Sequence, residues 1–267
     1  MFSKLGSILK LGRKAKNQIN IRLLPEILRH IFLLLPPEDL KSAVLVCKMW
    51  KEIGEDPYLW RWAMVTVNND NVENISSLLR TGRLSLIETI VIISCSDTLL
   101  QSIINHKGLK NLTILGETKP ACDPTPDTFM PDTDPYLLAN FLAALQSVSI
   151  CEVYLTKELL EALMSKLILG SRIRFLELSH MHLLELDDNQ KLSSALTSVE
   201  TLLLHRTYIT NGQLTALLTK VLSGTRLSYL SISTDLVMDN NIIEQVKERL
   251  GRDNVKIGRY FLSHSIS

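Results

Sequence analysis

The sequence predicts an α/β protein in two parts: a small N-terminal helical unit, then a solenoid of repeated strand-and-helix turns. Three observations carry this prediction. Between Leu24 and Trp62 apolar residues recur at helical spacing and are broken by prolines. From Ile87 onward a pattern L-x-x-L-x-L returns six times, at intervals mostly in the twenties. Between these cores lie helical stretches such as "TKELLEALMSKLILG" and "NGQLTALLTKVLSG", the second ending at Gly224, where a helix C-cap is expected.

The totals bound what the chain can be. At 267 residues it holds one or two domains. A hydrophobic content of 46% with 21% charged residues is globular composition, far from disorder. The net charge of +1 supplies no basic field, so a nucleic-acid partner is not expected. Cys47, Cys95, Cys122 and Cys151 lie far apart without a Cys-x-x-Cys, and no secretory signal is evident. A reducing intracellular setting is expected, cytoplasmic and/or nuclear, with each cysteine a small buried hydrophobe. No apolar run approaches the roughly 20 residues that span a bilayer, so membrane insertion is not expected.

Residues 1–20 read as a flexible basic arm, with Lys4, Lys10, Arg13, Lys14 and Lys16 and no acid before Glu26. Phe2, Leu5, Ile8 and Leu9 fall loosely on one helical face, which leaves open a transit peptide or a membrane-surface anchor.

The helical unit spans residues 21–62. Pro25 suits the first position of a helix, where its missing N–H costs nothing. Leu24, Leu28, Ile31 and Leu35 make one apolar stripe along it. Pro36-Pro37 ends that helix and opens another, with Glu38 and Asp39 at the dipole's positive end and Leu40, Val44 and Cys47 as its apolar face. A third helix carries Trp50 and Ile53 and stops at Gly54. Asp56-Pro57 reads as an N-cap and first-turn proline before Leu59, Trp60 and Trp62. So small a unit cannot bury this many large side chains alone; it needs a partner or the chain that follows.

The run Leu24-Pro25-x-Ile27-Leu28-x-x-Ile31-Phe32-x-x-Leu35-Pro36-x-x-Asp39-Leu40, then Val46-Cys47-x-x-Trp50, then Asp56-Pro57-x-Leu59-Trp60, closely resembles the F-box motif. F-box domains dock on the Skp adaptor of Skp–cullin–F-box (SCF) ubiquitin ligases. The resemblance implies that Leu24, Pro25, Ile27, Leu28, Ile31, Leu35, Pro36, Leu40, Val46 and Trp50 are shared between the unit's own core and an adaptor interface. It does not say which residue faces which way.

The second part spans residues 63–262. Its six cores are read as Ile87-Ile90-Ile92, Leu109-Leu112-Ile114, Ile150-Val153-Leu155, Ile173-Leu176-Leu178, Val199-Leu202-Leu204 and Leu227-Leu230-Ile232, with starts 22, 41, 23, 26 and 28 residues apart. "WAMVTV" is an expected leading strand and "NVKIGRYF" a last one. The pattern resembles the leucine-rich repeat, in which parallel strands line a concave face and helices lie outside. The asparagine of the plainest consensus is absent: Ser94, Gly116, Lys157, His180, Arg206 and Thr234 stand there. A βαβ enzyme sheet would carry a Gly-rich phosphate loop, and neither G-x-G-x-x-G nor G-x-x-x-x-G-K occurs.

Strand alternation turns the residues between the leucines to the concave face. These are Thr89, Val91 and Ile93; Asn111, Thr113 and Leu115; Glu152, Tyr154 and Thr156. They continue as Phe175, Glu177 and Ser179; Thr201, Leu203 and His205; Tyr229, Ser231 and Ser233. Among them Val91, Ile93, Leu115, Tyr154, Phe175, Leu203 and Tyr229 form an apolar band, the expected target-binding surface. Flanking loops or the C-terminal segment are the alternative cover. Residues 117–135, with five prolines and five acids, read as an acidic loop on one rim. Thr125-Pro126 within it is a candidate for proline-directed phosphorylation.

Six histidines include one close pair, His180-x-His182, with Glu185 nearby, but no third ligand at metal spacing. No nucleophile elbow, H-E-x-x-H or paired carboxylate is present. No catalytic residue, cofactor or metal is therefore expected. The resemblances imply a non-catalytic substrate-recognition subunit of an SCF ligase, with Skp, a cullin and a target protein as partners. The alternatives are a Skp-binding scaffold without turnover of its target, or a membrane- or organelle-directed interaction protein that uses the basic arm.

Overall fold

The computed structural model describes residues 24–259 except 36, 62, 81, 83, 94–96, 117–132, 154, 182, 185, 235 and 237. The basic arm, the candidate phosphorylation site and most of the acidic insertion thus lie outside the described residues. The chain divides into two compact units, Met1–Leu59 and Trp60–Ser267.

The first unit holds three helices, α1 (Pro25–Leu33), α2 (Pro37–Ala43) and α3 (Lys48–Gly54), followed by a 3-10 turn, Pro57–Trp60, that leads out of it. Pro25 starts α1 as expected. The apolar stripe splits, however. Leu28 and Phe32, one turn apart, face the core, whereas Leu24 and Ile31 are exposed. Leu40 and Ala43 of α2 are also buried, and the Phe32 and Trp50 rings meet edge to face at 5.3 Å.

α3 ends at Gly54 as expected, but without the positive φ of a glycine cap. Gly54 is buried, and a Cβ there would collide with Val44 and touch Phe32. The C-cap is Glu55, whose N–H reaches the carbonyls of Lys51 and Ile53. Asp56 caps as expected: its carboxylate accepts from Tyr58 N–H at 2.9 Å and pairs with Arg29.

The second unit is built on one sheet of eight parallel strands whose spatial order is their chain order. The elements run β1 (Met64–Val67), α4 (Val72–Arg80), β2 (Thr89–Ile92), α5 (Asp97–Ile104), β3 (Asn111–Leu115), α6 (Pro135–Ala144) and β4 (Ser147–Cys151). They continue as α7 (Lys157–Gly170), β5 (Phe175–Ser179), α8 (Asn189–Leu196), β6 (Thr201–His205), α9 (Asn211–Ser223), β7 (Tyr229–Thr234), α10 (Asn240–Leu250) and β8 (Val255–Arg259). Parallel strands cannot be joined by a hairpin, so each crossover carries a helix. This is a solenoid-like α/β arrangement.

One core lies between sheet and helices. The inward strand residues Ile90, Ile92, Leu112, Ile114, Val148, Ile150, Leu176, Leu178, Leu202, Leu204, Leu230 and Ile232 are all buried. Helix residues such as Leu99, Ile103, Leu142, Leu163, Leu196 and Leu218 meet them. Helix starts follow from side-chain caps: Thr156, Asp188 and Asp239 each accept a backbone N–H, and Thr210 with Gln213 forms a complete capping box. Gly224 closes α9 with φ +110°.

Two expectations change. Val148 pairs with Leu112 and Ile150 with Ile114, so the third core is Leu145-Val148-Ile150, not Ile150-Val153-Leu155. The reason is an overlap: both triplets fit the same spacing, and Val153 and Leu155 are buried too. They begin a second buried pair that recurs as Met181 and Leu183, then Thr207 and Ile209, at the same places in later turns. The other change falls at the end of the insertion. Asp134 and Pro135 belong to α6, as its N-cap and first residue; the Asp134 side chain accepts from Tyr136 N–H at 2.9 Å.

Candidate functional site

Two surfaces stand out, one in each unit. In the first, the residues singled out from sequence separate into core and surface. Leu28 and Leu40 are buried; Trp50 and Leu35 are half-buried; Pro25, Ile27 and Ile31 are exposed; Pro36 lies outside the described residues. Leu24 is 61% exposed and Val46 62%, and both are joined by residues the motif did not flag, Leu34 at 85% and Leu45 at 84%. Leu34 and Leu45 follow the ends of α1 and α2, so helical periodicity cannot find them. A unit this small that displays so many large aliphatic groups is built to be covered. Cys47, expected to be buried, is exposed at the N-cap of α3; Cys95 and Cys122 lie outside the described residues.

In the second unit, the sheet face turned away from the helices carries three rows of side chains. The first row is Met64, Thr89, Asn111, Ser147, Phe175, Thr201 and Tyr229, the second Thr66, Val91, Thr113, Ser149, Glu177, Leu203, Ser231 and Lys256. The third is Leu115, Cys151, Ser179, His205, Ser233 and Gly258. Ile93 extends this row, its N–H bonded to Val67 O. Of the expected band, Val91, Ile93, Leu115, Phe175, Leu203 and Tyr229 are here and partly exposed. Tyr154 lies outside the described residues, and with the register corrected the face positions of β4 are Ser147, Ser149 and Cys151. The band is therefore two patches, on β2–β3 and β5–β7, with the serine-rich β4 between them.

That polar middle is organised around Glu177. Ser149 Oγ donates to its Oε2 at 2.6 Å, and Ser179 Oγ lies 3.4 Å from its Oε1. Cys151 sits 3.4 Å from Ser149 Oγ. Burial pushes the Cys151 thiol up, and Glu177 and Glu152 add to the rise against the hydrogen bonds of Ser149 and Ser179. The rise favours the protonated thiol at neutral pH.

Directly after β4, β5 and β6 the chain turns through left-handed residues at one equivalent place: Glu152 (φ 59°), His180 (φ 57°) and Arg206 (φ 51°). The matching residue after β3 is Gly116, where a Cβ would run into the carbonyl oxygen of Glu152. Their N–H groups extend the strand ladder: Gly116 to Cys151 O, Glu152 to Ser179 O, His180 to His205 O and Arg206 to Ser233 O. The side chains form a row in which Arg206 Nη1 lies 3.2 Å from His180 Nε2. A guanidinium only donates, so Nε2 accepts and Nδ1 carries the ring proton, facing Glu152 at 3.7 Å. Burial lowers the His180 pKa, with Arg206 and His205 acting alongside and Glu152 opposing. Arg206 thus engages Nε2, while Nδ1 has no partner within hydrogen-bond distance among the described residues; His182 and Glu185 lie outside the described residues. Among the described residues no cluster of His, Cys, Asp or Glu is arranged to hold a metal, and no helix is long and apolar enough to cross a membrane.

The opposite rim is tied by charge. Glu88, buried, takes Arg61 Nε at 2.5 Å and Lys110 Nζ at 2.9 Å. Burial alone would raise its pKa, but these two cations outweigh it and hold the carboxyl below its ordinary value.

Compared with known protein families, residues 23–64 match the model described as F-box-like. The chain thus carries an F-box-like domain, which takes in the three helices and their exposed aliphatic groups. No curated protein matches the chain.

Proposed function

We propose that this protein is the substrate-recognition subunit of a Skp–cullin–F-box ubiquitin ligase, with its second unit a leucine-rich repeat domain. The observation that carries the reading is the exposed aliphatic set Leu24, Ile27, Ile31, Leu34, Leu45 and Val46 on an F-box-like domain. These side chains would seat on the Skp-type adaptor, while Leu28, Phe32 and Leu40 hold the helices together. The open sheet face would take the target protein. The chain then contributes no catalytic group of its own: by holding the target beside a ubiquitin carrier recruited by other subunits, it raises an effective concentration.

Co-expression with a Skp-type adaptor tests this. The wild type should co-purify with the adaptor, and Leu24→Ala with Ile27→Ala should lose it while melting at the wild-type temperature, because neither residue is in the core. Retained adaptor in that double variant would overturn the interface. A complex that binds the adaptor but neither recruits a cullin nor modifies a bound protein would make the chain a scaffold.

A further inference from the structure

We infer that Glu177 is the anchor for a basic side chain, arginine or lysine, of the protein that docks on the open sheet face; the inference rests on the reading of that face as the target surface. Among the described residues from β1 to β7 the open-face positions are apolar, hydroxylic, amide, thiol or imidazole, with Glu177 the only carboxylate and the only formal charge. It stands on the fifth of eight strands, in register with Ser149 on one side and Leu203 on the other.

Its hydrogen bonds come from two neutral hydroxyls, Ser149 and Ser179, and no cation of the described residues pairs with it. The other acids near the strand ends differ. Glu88 is held by Arg61 and Lys110, Glu200 faces Arg174 at 3.8 Å, and Glu152 faces the proton-bearing nitrogen of His180. Hydroxyl donors fix the direction of the Glu177 carboxylate without cancelling its charge, and two donors leave about half of its lone-pair sites unused.

A half-buried carboxylate in that state is poorly solvated, and a partner that brings a cation recovers the lost interaction. The surroundings suit a long basic side chain. Phe175, two residues earlier on the same strand face, offers an aromatic ring to the cation or its stem, and Leu203 forms an apolar wall beside the carboxylate. An acidic or purely aliphatic group would instead leave the carboxylate buried against like charge or without a donor. Charge complementarity thus names the partner's chemistry, and the apolar patches on either side supply area.

The test uses the full-length protein, immobilised, and pools of peptides of about nine residues. Each pool fixes Arg, Lys, Gln or Glu at the centre and randomises the flanks over uncharged residues. The wild type should retain the Arg and Lys pools at least about tenfold over the Gln pool, the scale of a hydrogen bond to a charged group. Glu177→Gln, which keeps the shape and can accept from one serine while its amide donates to the other hydroxyl, should level the pools; Glu177→Lys should turn the preference toward Glu. Equal retention of all four pools by the wild type, or a basic preference that survives in Glu177→Gln, overturns the anchor and leaves the face as a docking surface. Retention of no pool overturns both, while adaptor binding by the first unit is read separately by co-purification.

Discussion

At Gly116 one methyl group decides whether β3 and β4 can leave the sheet side by side. The residue is pressed against the backbone of Glu152, so Gly116→Ala must displace that carbonyl. It should cost about 1–3 kcal/mol, read as a lower urea midpoint at constant slope. The sequence marked the position, because a glycine stands where the repeat consensus has asparagine. It gave no sign of the cause, since the crowding atom belongs to the next turn of the chain. Glu88 makes a second prediction at this scale. Its folded pKa lies below its unfolded one, so its stabilising effect is complete at neutral pH and is lost as pH falls through the lower folded value. The stability gap between wild type and Glu88→Gln should therefore be constant near pH 7 and close below about pH 4. A gap that widens in acid would contradict the assignment.

The helices show how far periodicity carries. Element type was legible in the second unit: both quoted helical stretches form, with Thr156 and Thr210 as caps and Gly224 as the stop. Register was not legible at β4, where two overlapping triplets satisfy one pattern and only pairing with β3 selects between them. In α1 the stripe was misassigned because Leu24, Leu28 and Ile31 share a spacing but not a neighbour; Phe32 completes the buried face. Hence Leu28→Ala should destabilise the unit by about 2–5 kcal/mol, whereas the exposed pair Leu24 and Ile27 should affect adaptor binding alone. Between β5 and α9 the deciding residue is Gln213. Its Nε2 donates to the carbonyls of Leu183 and Leu186, and its Oε1 accepts from Thr210 N–H. Gln213→Leu would take the Gln213 donor from both carbonyls, Leu183 O keeping only its bond from Leu186 N–H, at a cost of roughly 1–3 kcal/mol. Thermal denaturation should show that loss, with Gln213→Glu at least as damaging, because an ionised carboxylate cannot donate to either carbonyl.

For the whole molecule, composition bounded the class but not the contents of the open face. Rows of side chains become visible only when turns 22 to 36 residues long are laid in register, so strand alternation alone does not distinguish Glu177 from the other outward residues. The same stacking converts scattered residues into ties between turns: Asn111 donates to Thr89 at 3.0 Å, and Ser228 N–H to Glu200 O at 2.8 Å. Contacts between neighbouring turns dominate such a stack, so a lesion stays local. Gln213→Leu should accordingly speed amide exchange in β5 to β7 more than in β1 to β3.

The strand order has a consequence for how the protein is made. Because each strand lies beside the one that precedes it in the chain, a strand leaving the ribosome meets a partner that already exists. No part of the sheet waits for a segment still to be translated. The nascent chain can therefore wind up turn by turn from β1, and its growing end exposes one unpaired strand edge at a time.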